Sequence, residues 1–206
     1  QLNNATTSIP NNTYPGAANN ITYAAGKFGN AAVFNGTNGY VSNLNGVIPS
    51  STNSDCSFSC WFSLGASFSS NYKNILGGTG VDAMRIMLRP GGNGYRIEIS
   101  RGENGVFYSA SNTSFAGANL SLNTFYHLVA TFTTSNKTAR VYLDGSLIDT
   151  VVLPNIYTGA INTSLALGTY RPDVAFSYFN GKIDQVRTFS SALPQAAVTA
   201  LYNETT

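Results

Sequence analysis

The chain has 206 residues, of which only 10% are charged, and a formal net charge of +2. Soluble domains carry about 25% charged residues, so asparagine, serine, threonine and glycine must supply the polar surface here, a composition associated with exposed extracellular or virion proteins. So small a net charge excludes a strong pull on nucleic acid or anionic lipid, and no apolar run approaches the ~18 residues of a membrane span. The length suits one all-β domain.

Residues 1–30 hold Asn, Thr, Pro and Gly with little periodicity, and 1–25 read as an N-terminal arm with one short strand. From residue 26 to 206 the sequence reads as one domain in which short β-type runs alternate with turn clusters. AAVFNG and GYVSNL come first. DCSFSCWFSL (55–64) follows, with strict alternation: Cys56, Phe58, Cys60, Phe62 and Leu64 on one face, Ser57, Ser59, Trp61 and Ser63 on the other. This is the pattern of a half-buried strand. It sets Cys56 and Cys60 roughly 13 Å apart at about 3.3 Å per residue, beyond the ~7 Å reach of a disulfide, so both are expected as buried free thiols. Trp61 is left facing away from the core among serines.

KNILGGT, AMRIMLR, YRIEISR and GVFYSAS continue the series, and a Gly-rich loop at Pro90–Gly94 predicts a hairpin between the second and third of them. FYHLVATFTT, ARVYLDG and SLIDTVVL come next, with Asp144-Gly145 as a type I′ turn signal. SLALGTY and KIDQVRTFS close the β region. LPQAAVTALY alone reads as a helix, with Pro194 at its start and Ala197, Val198, Leu201 and Tyr202 on one stripe. Short strands at this spacing predict an all-β, two-sheet antiparallel β-sandwich with a short C-terminal helix.

Several of these stretches, in this order, resemble the laminin-G-like and pentraxin-like domains of the concanavalin A-like lectin/glucanase superfamily. GKFGNAAVFNGTNGYV is similar to the family's opening stretch, and FSCWFSL to its strand carrying Ser-x-Trp. FYHLVATF resembles a later strand of the family, and ARVYLDGSLI the hairpin that follows it. LALGTY, YFNGKIDQVRTFSSAL and ALY resemble its closing strand and helix. The resemblance covers residues 26 to 202 and implies a jelly-roll topology. Members carry a first strand upstream of the opening stretch, so a sheet edge is expected to lie open to self-association or a partner strand unless residues 1–25 fill it. Asn35 and Asn38 stand where many members have Asp, which removes carboxylates from a family-type calcium site.

The superfamily includes glucanases, whose acids stand on one strand as Glu-x-Asp-x-Glu; no such pattern occurs here. Glu98, Asp149 and Asp184 are left as acids that would have to converge from separate strands, so catalysis is not expected, and a glycoside hydrolase is the third reading. His127, the sole histidine, reads as a packed residue. No cofactor is expected; calcium is kept open through Asp82 and Asp173. The central hairpin concentrates Arg85, Arg89, Arg96 and Arg101. With Met84, Ile86, Leu88, Ile97 and Ile99 inward, Arg85, Met87, Arg89, Arg96 and Glu98 face outward. Two readings compete: ion pairing around Glu98, or a basic face for an acidic glycan. Trp61 has two readings as well, a side chain packed beneath a loop or a platform for a sugar ring. The ligand-binding candidates are therefore Trp61, Arg85, Arg89 and Arg96. The function expected is recognition of a glycan or cell-surface receptor by an extracellular, cell-surface or virion-surface protein. A structural assembly domain without a sugar ligand is the alternative.

Overall fold

The computed structural model describes residues 16–44, 54–78, 84–91, 94–103, 106–109, 120–152, 165–170 and 177–205. Fourteen strands and one helix lie among them: β1 (Ala17–Asn19), β2 (Thr22–Ala25), β3 (Asn30–Asn35), β4 (Tyr40–Ser42), β5 (Cys56–Leu64), β6 (Lys73–Gly78), β7 (Met84–Gly91), β8 (Gly94–Glu103), β9 (Val106–Ser109), β10 (Phe125–Thr133), β11 (Thr138–Leu143), β12 (Ser146–Val152), β13 (Leu165–Leu167), β14 (Asn180–Phe189) and α1 (Gln195–Tyr202). Each run read from the sequence carries a strand. One sheet has the order β1-β4-β13-β6-β7-β8-β9, the other β12-β11-β10-β5-β14-β3-β2. All strand pairs are antiparallel, and neighbours distant in sequence, such as β5 and β14, give the jelly-roll crossing.

The inward faces interlock as the alternation requires. Cys56, Phe58, Cys60, Phe62 and Leu64 of β5 meet Ile86, Leu88, Ile97 and Ile99 of the β7–β8 hairpin, with Phe34, Phe132 and Phe179 filling the space between the sheets. Each large apolar side chain removed from water contributes about 1.5–3 kcal/mol. Cys56 and Cys60 are both free and buried, and burial, first, with the nearby Asp184 charge pushes the Cys60 thiol well above its usual range. At the β11–β12 turn Asp144 (φ 48°) and Gly145 (φ 77°) both adopt the left-handed conformation that a type I′ turn needs. Asn20, Asn43, Asn71 and Asn123 hold positive φ at other turns, a conformation asparagine tolerates better than most residues.

Two expectations are corrected here. The sheet edge expected to stand open is filled by the chain's own N-terminal segment. Ala17–Asn19 pairs with β4 at the edge of one sheet, and Thr22–Ala25 pairs with β3 at the edge of the other. Residues 17–25 therefore form part of the sandwich, and the ground for a partner strand at that edge is gone. The second correction concerns β5, which is buried along its whole length and on both faces. Its outward Ser57 is covered by the chain that follows β14: Ser57 Oγ donates to Ser191 O (2.7 Å) and accepts from Leu193 N–H (2.9 Å).

Asp184 shows why the opening and closing motifs belong together. Its fully buried carboxylate accepts Phe28 N–H at Oδ2 (3.0 Å) and Gln185 N–H at Oδ1 (2.7 Å). The closing strand thereby holds the Gly26–Gly29 turn, which is also closed by Gly26 N–H donating to Gly29 O (2.8 Å).

Candidate functional site

Trp61 faces away from the inter-sheet core, as the alternation requires, but it is only 4% exposed. Lys27 Nζ lies 4.3 Å from its ring centroid, and Phe28 meets it edge-on at 6.0 Å. Tyr202 of α1 stacks on it at 5.7 Å and His127 of β10 lies 5.0 Å away. The helix is tied down by Val198, packed on Val129 and Tyr142, and by Gln195 Nε2 donating to Gly145 O (2.6 Å). Beside Trp61, Ser59 Oγ and His127 Nε2 share a hydrogen bond of 2.9 Å. Burial, with a smaller push from Arg187, lowers the His127 pKa to about 4, so the ring is neutral at pH 7. Arg187 and Glu204 close the margin with an ion pair of 2.7 Å. The gap between Ser59, His127, Gln185 and Leu201 has no space for a water molecule. Trp61 thus has no open face on which a sugar could stack; the turn and helix that cover it join only in three dimensions.

The arginine-bearing face of the β6–β7–β8 region keeps the predicted orientation, and its arginines differ in exposure: Arg85 is buried, Arg96 half-buried and Arg89 exposed. Ile86, Leu88, Ile97 and Ile99 point into the core. Arg85 is 7% exposed, and its guanidinium lies 3.7 Å from the centroid of the Tyr170 ring. Arg89 Nε pairs with Glu98 Oε2 at 2.6 Å and lies 5.1 Å from the Tyr72 ring. Arg96, opposite Arg89 in register, is half-buried. Burial pushes the Glu98 carboxyl up, against the opposing pull of Arg89, Arg85 and Arg96. Met87 and Asn74, in register with Glu98, are also buried. A Cβ at Gly77 would stand 2.2 Å from Thr169 O and 2.7 Å from Tyr170 Cα, so this chain segment lies directly against β6. The arginines are thus partly engaged within the protein. The side chain of Arg101 lies outside the described residues.

A third region was not among the sequence candidates. At one open end of the sandwich a pocket of about 170 Å³ is lined by Gly36, Leu64, Ser67, Phe68, Lys73 and Asn180. Phe68 stacks on Tyr95 (4.7 Å, 28°), and its N–H donates to Tyr95 Oη (3.2 Å). Asn180 is wedged between two glycines: a Cβ at Gly36 would stand 2.9 Å from its side chain, and one at Gly65 2.6 Å from its Oδ1. Burial draws the Lys73 pKa down. The one sequence signal that points here is an aromatic residue inside the Ser- and Asn-rich connection ASFSSN.

The acids considered for glycoside hydrolysis do not converge. Glu98 belongs to one sheet, and Asp149 and Asp184 to the other, where β11, β10 and β5 separate their strands. At about 4.8 Å per strand those two lie roughly 19 Å apart, against the ~5–10 Å that glycosidase carboxyl pairs require. Each also has a structural role: Asp184 holds the Gly26–Gly29 turn, Glu98 pairs with Arg89, and Asp149 accepts Thr150 N–H. The family-type calcium position does not fit a cation. Asn35 Oδ1 accepts from the N–H groups of Thr37, Asn38 and Gly39 and from the Thr37 hydroxyl, while Asn35 Nδ2 donates to Asn38 Oδ1 (2.7 Å). The amide therefore serves as a turn clamp. Asp82 and Asp173 lie outside the described residues, and no cluster of three metal-ligating side chains occurs among the described ones.

Two antiparallel sheets in jelly-roll order, with Glu98 on one and Asp149 and Asp184 apart on the other, define an antiparallel β-sandwich without convergent acids among these three. The chain belongs to the concanavalin A-like lectin/glucanases superfamily, whose laminin G-type profile matches residues 35–199. A search of curated proteins found no match. Among solved structures, domain 4 of AbnA, a GH43 extracellular arabinanase from Geobacillus stearothermophilus in complex with arabinotriose, is 26% identical with a TM-score of 0.76, over 98% of this chain and 94% of that one. The binding domain of Paraclostridial Mosquitocidal Protein 1 is 16% identical (TM-score 0.71), over 96% of this chain and 49% of that one. The ligand binding domain of botulinum neurotoxin serotype D, in complex with N-acetylneuraminic acid, is 16% identical (TM-score 0.69), over 93% and 47%. This chain spans about half the length of the toxin domains, and that likeness is one of fold. No helix among the described residues is long and apolar enough to cross a membrane.

Proposed function

We propose that the chain is a non-catalytic glycan-recognition module of an extracellular, cell-surface or virion-surface protein. The observation that carries this reading is the near-complete match, at 26% identity, to an arabinanase domain whose structure contains arabinotriose. The separation of Glu98 from Asp149 and Asp184 across two sheets supports binding without hydrolysis. The engagement of Arg85 with Tyr170 and of Arg89 with Glu98 favours a neutral glycan over an acidic one, because a guanidinium already bound offers less of its paired geometry to a carboxylate. Arg89 and Arg96 remain the residues through which an acidic sugar would be read.

A glycan array carrying neutral arabino-oligosaccharides and sialylated chains, run with and without EDTA and at two salt concentrations, tests the reading. Neutral hits insensitive to EDTA and salt are expected. Sialylated hits that weaken with salt would move the ligand to the arginine face. A bare array would favour the assembly-domain alternative, and release of shorter sugars from arabinotriose would overturn the non-catalytic reading.

A further inference from the structure

The geometry points to the pocket between Phe68, Lys73 and Asn180 as a subsite that takes a single neutral sugar residue at the end of a glycan chain. This inference rests on the glycan reading above and adds where the ligand sits and which part of it is held.

Size comes first. A volume of about 170 Å³ is well under the ~300 Å³ at which drug-sized sites begin. Leu64, a core residue 1% exposed, is part of the lining. One sugar ring is the scale of occupant that such a space suits.

The lining is also fixed in advance. Phe68 is stacked on Tyr95 and held through its own N–H, so its ring is in place before a ligand arrives. A held aromatic surface covers the C–H face of a sugar at little entropic cost. Asn180 is fixed by the absence of side chains at Gly36 and Gly65, and Gly36 adopts φ +78°, which a larger residue would resist. The Asn180 side-chain amide makes no hydrogen bond to a described residue, which leaves a donor and an acceptor for neighbouring hydroxyls. Lys73 adds an ammonium drawn partly out of water.

The charge pattern narrows the ligand further. No carboxylate lines the pocket, so it does not suit a bridging calcium ion, which needs several oxygen ligands. No guanidinium lines it either, so the paired geometry that best selects a uronate or sialate is missing. An amide beside a phenyl ring matches the hydroxyls and apolar face of a neutral glycosyl residue.

The test uses the full chain and arabinotriose, with titration calorimetry and thermal melting on wild type, Phe68→Leu, Asn180→Ala and the double variant Arg89→Ser/Arg96→Ser. Phe68→Leu keeps apolar bulk but removes the flat ring, so loss of binding without loss of folding is readable. About ten-fold or greater weakening is expected for Phe68→Leu and Asn180→Ala, as for anchors of an interface. The double arginine variant should bind unchanged, and so should wild type in EDTA. Affinity should also stay level as the arabino-oligosaccharide is lengthened from three to six residues. Folded Phe68→Leu and Asn180→Ala proteins that bind arabinotriose as wild type does would overturn the subsite and leave the glycan reading standing. Binding abolished by EDTA, or rising steadily with chain length, would overturn it as well. A wild-type protein that binds neither arabinotriose nor any other glycan on the array would overturn both.

Discussion

Trp61 and Phe68 stand close together in the sequence, on and just after β5, and the sandwich treats them in opposite ways. Trp61 is enclosed by Lys27, Phe28, His127 and Tyr202 and is 4% exposed. Phe68 lies half-buried at the rim, stacked on Tyr95, packed against the edge of the core, and bordering the pocket. Four of the sequence stretches that resemble the family meet around the tryptophan: the GKFG turn, the β5 strand, the FYHLVATF strand and the terminal helix. Three such stretches also reach the rim pocket, through Gly36, Leu64 and Asn180, while Ser67, Phe68 and Lys73 lie outside them. The contrast shows that an outward position in a strand pattern does not mean an exposed one.

The largest effect expected from breaking the contrast is Trp61→Ala. Truncating a buried aromatic should cost about 3–5 kcal/mol of stability, measured by urea or thermal unfolding, while the protein that remains folded binds a neutral glycan as before. Unchanged stability with lost binding would return Trp61 to the ligand site. Asp184→Asn comes next. An amide presents one acceptor where the carboxylate serves two N–H groups, so a loss of about 1–3 kcal/mol is expected, with faster hydrogen exchange at Phe28.

The pH response sharpens the same side of the comparison. His127 titrates near 4 when folded and near 6.5 when unfolded, chiefly because burial disfavours its charged form. Between those values the unfolded chain binds more protons, so stability rises with pH. The contribution is complete above about 6.5 and is lost as pH falls to about 4. Glu98 and Asp144, both pushed up mainly by burial, act in the opposite sense, so the informative measurement is the difference from His127→Gln. Thermal midpoints of wild type should fall more steeply from pH 7 to pH 4.5 than those of the variant; parallel curves would mean that His127 is not buried as described. The smallest effect belongs to the arginine face. Arg89→Ser removes the exposed partner (46%) of a buried carboxylate (Glu98, 9%); Arg85 and Arg96 remain beside that carboxylate, so a loss of about 1 kcal/mol is expected, read from the same melts.

Much of this architecture was legible in the sequence. Alternation in CSFSCWFSL and in the β7–β8 hairpin placed the core side chains on the correct face, because a strand's two-residue period is a local property of the backbone. Asp144-Gly145 specified its own turn, since the φ values it needs are set by residue type. Free cysteines followed from spacing alone.

The rest depended on chain segments distant in sequence. Whether the outward face of β5 met water was decided by the segment around Ser191 and by the terminal helix, more than a hundred residues away. The sheet edge that the sequence left open was closed by Ala17–Asn19 and Thr22–Ala25, short segments without periodicity whose strand character comes from their partners. The pocket of Phe68, Lys73, Asn180 and Gly36 draws on four separate stretches, and no local rule brings them together. Residue type and spacing determined which side chains turn inward; the crossing of the two sheets determined which of the outward ones remain open to a ligand.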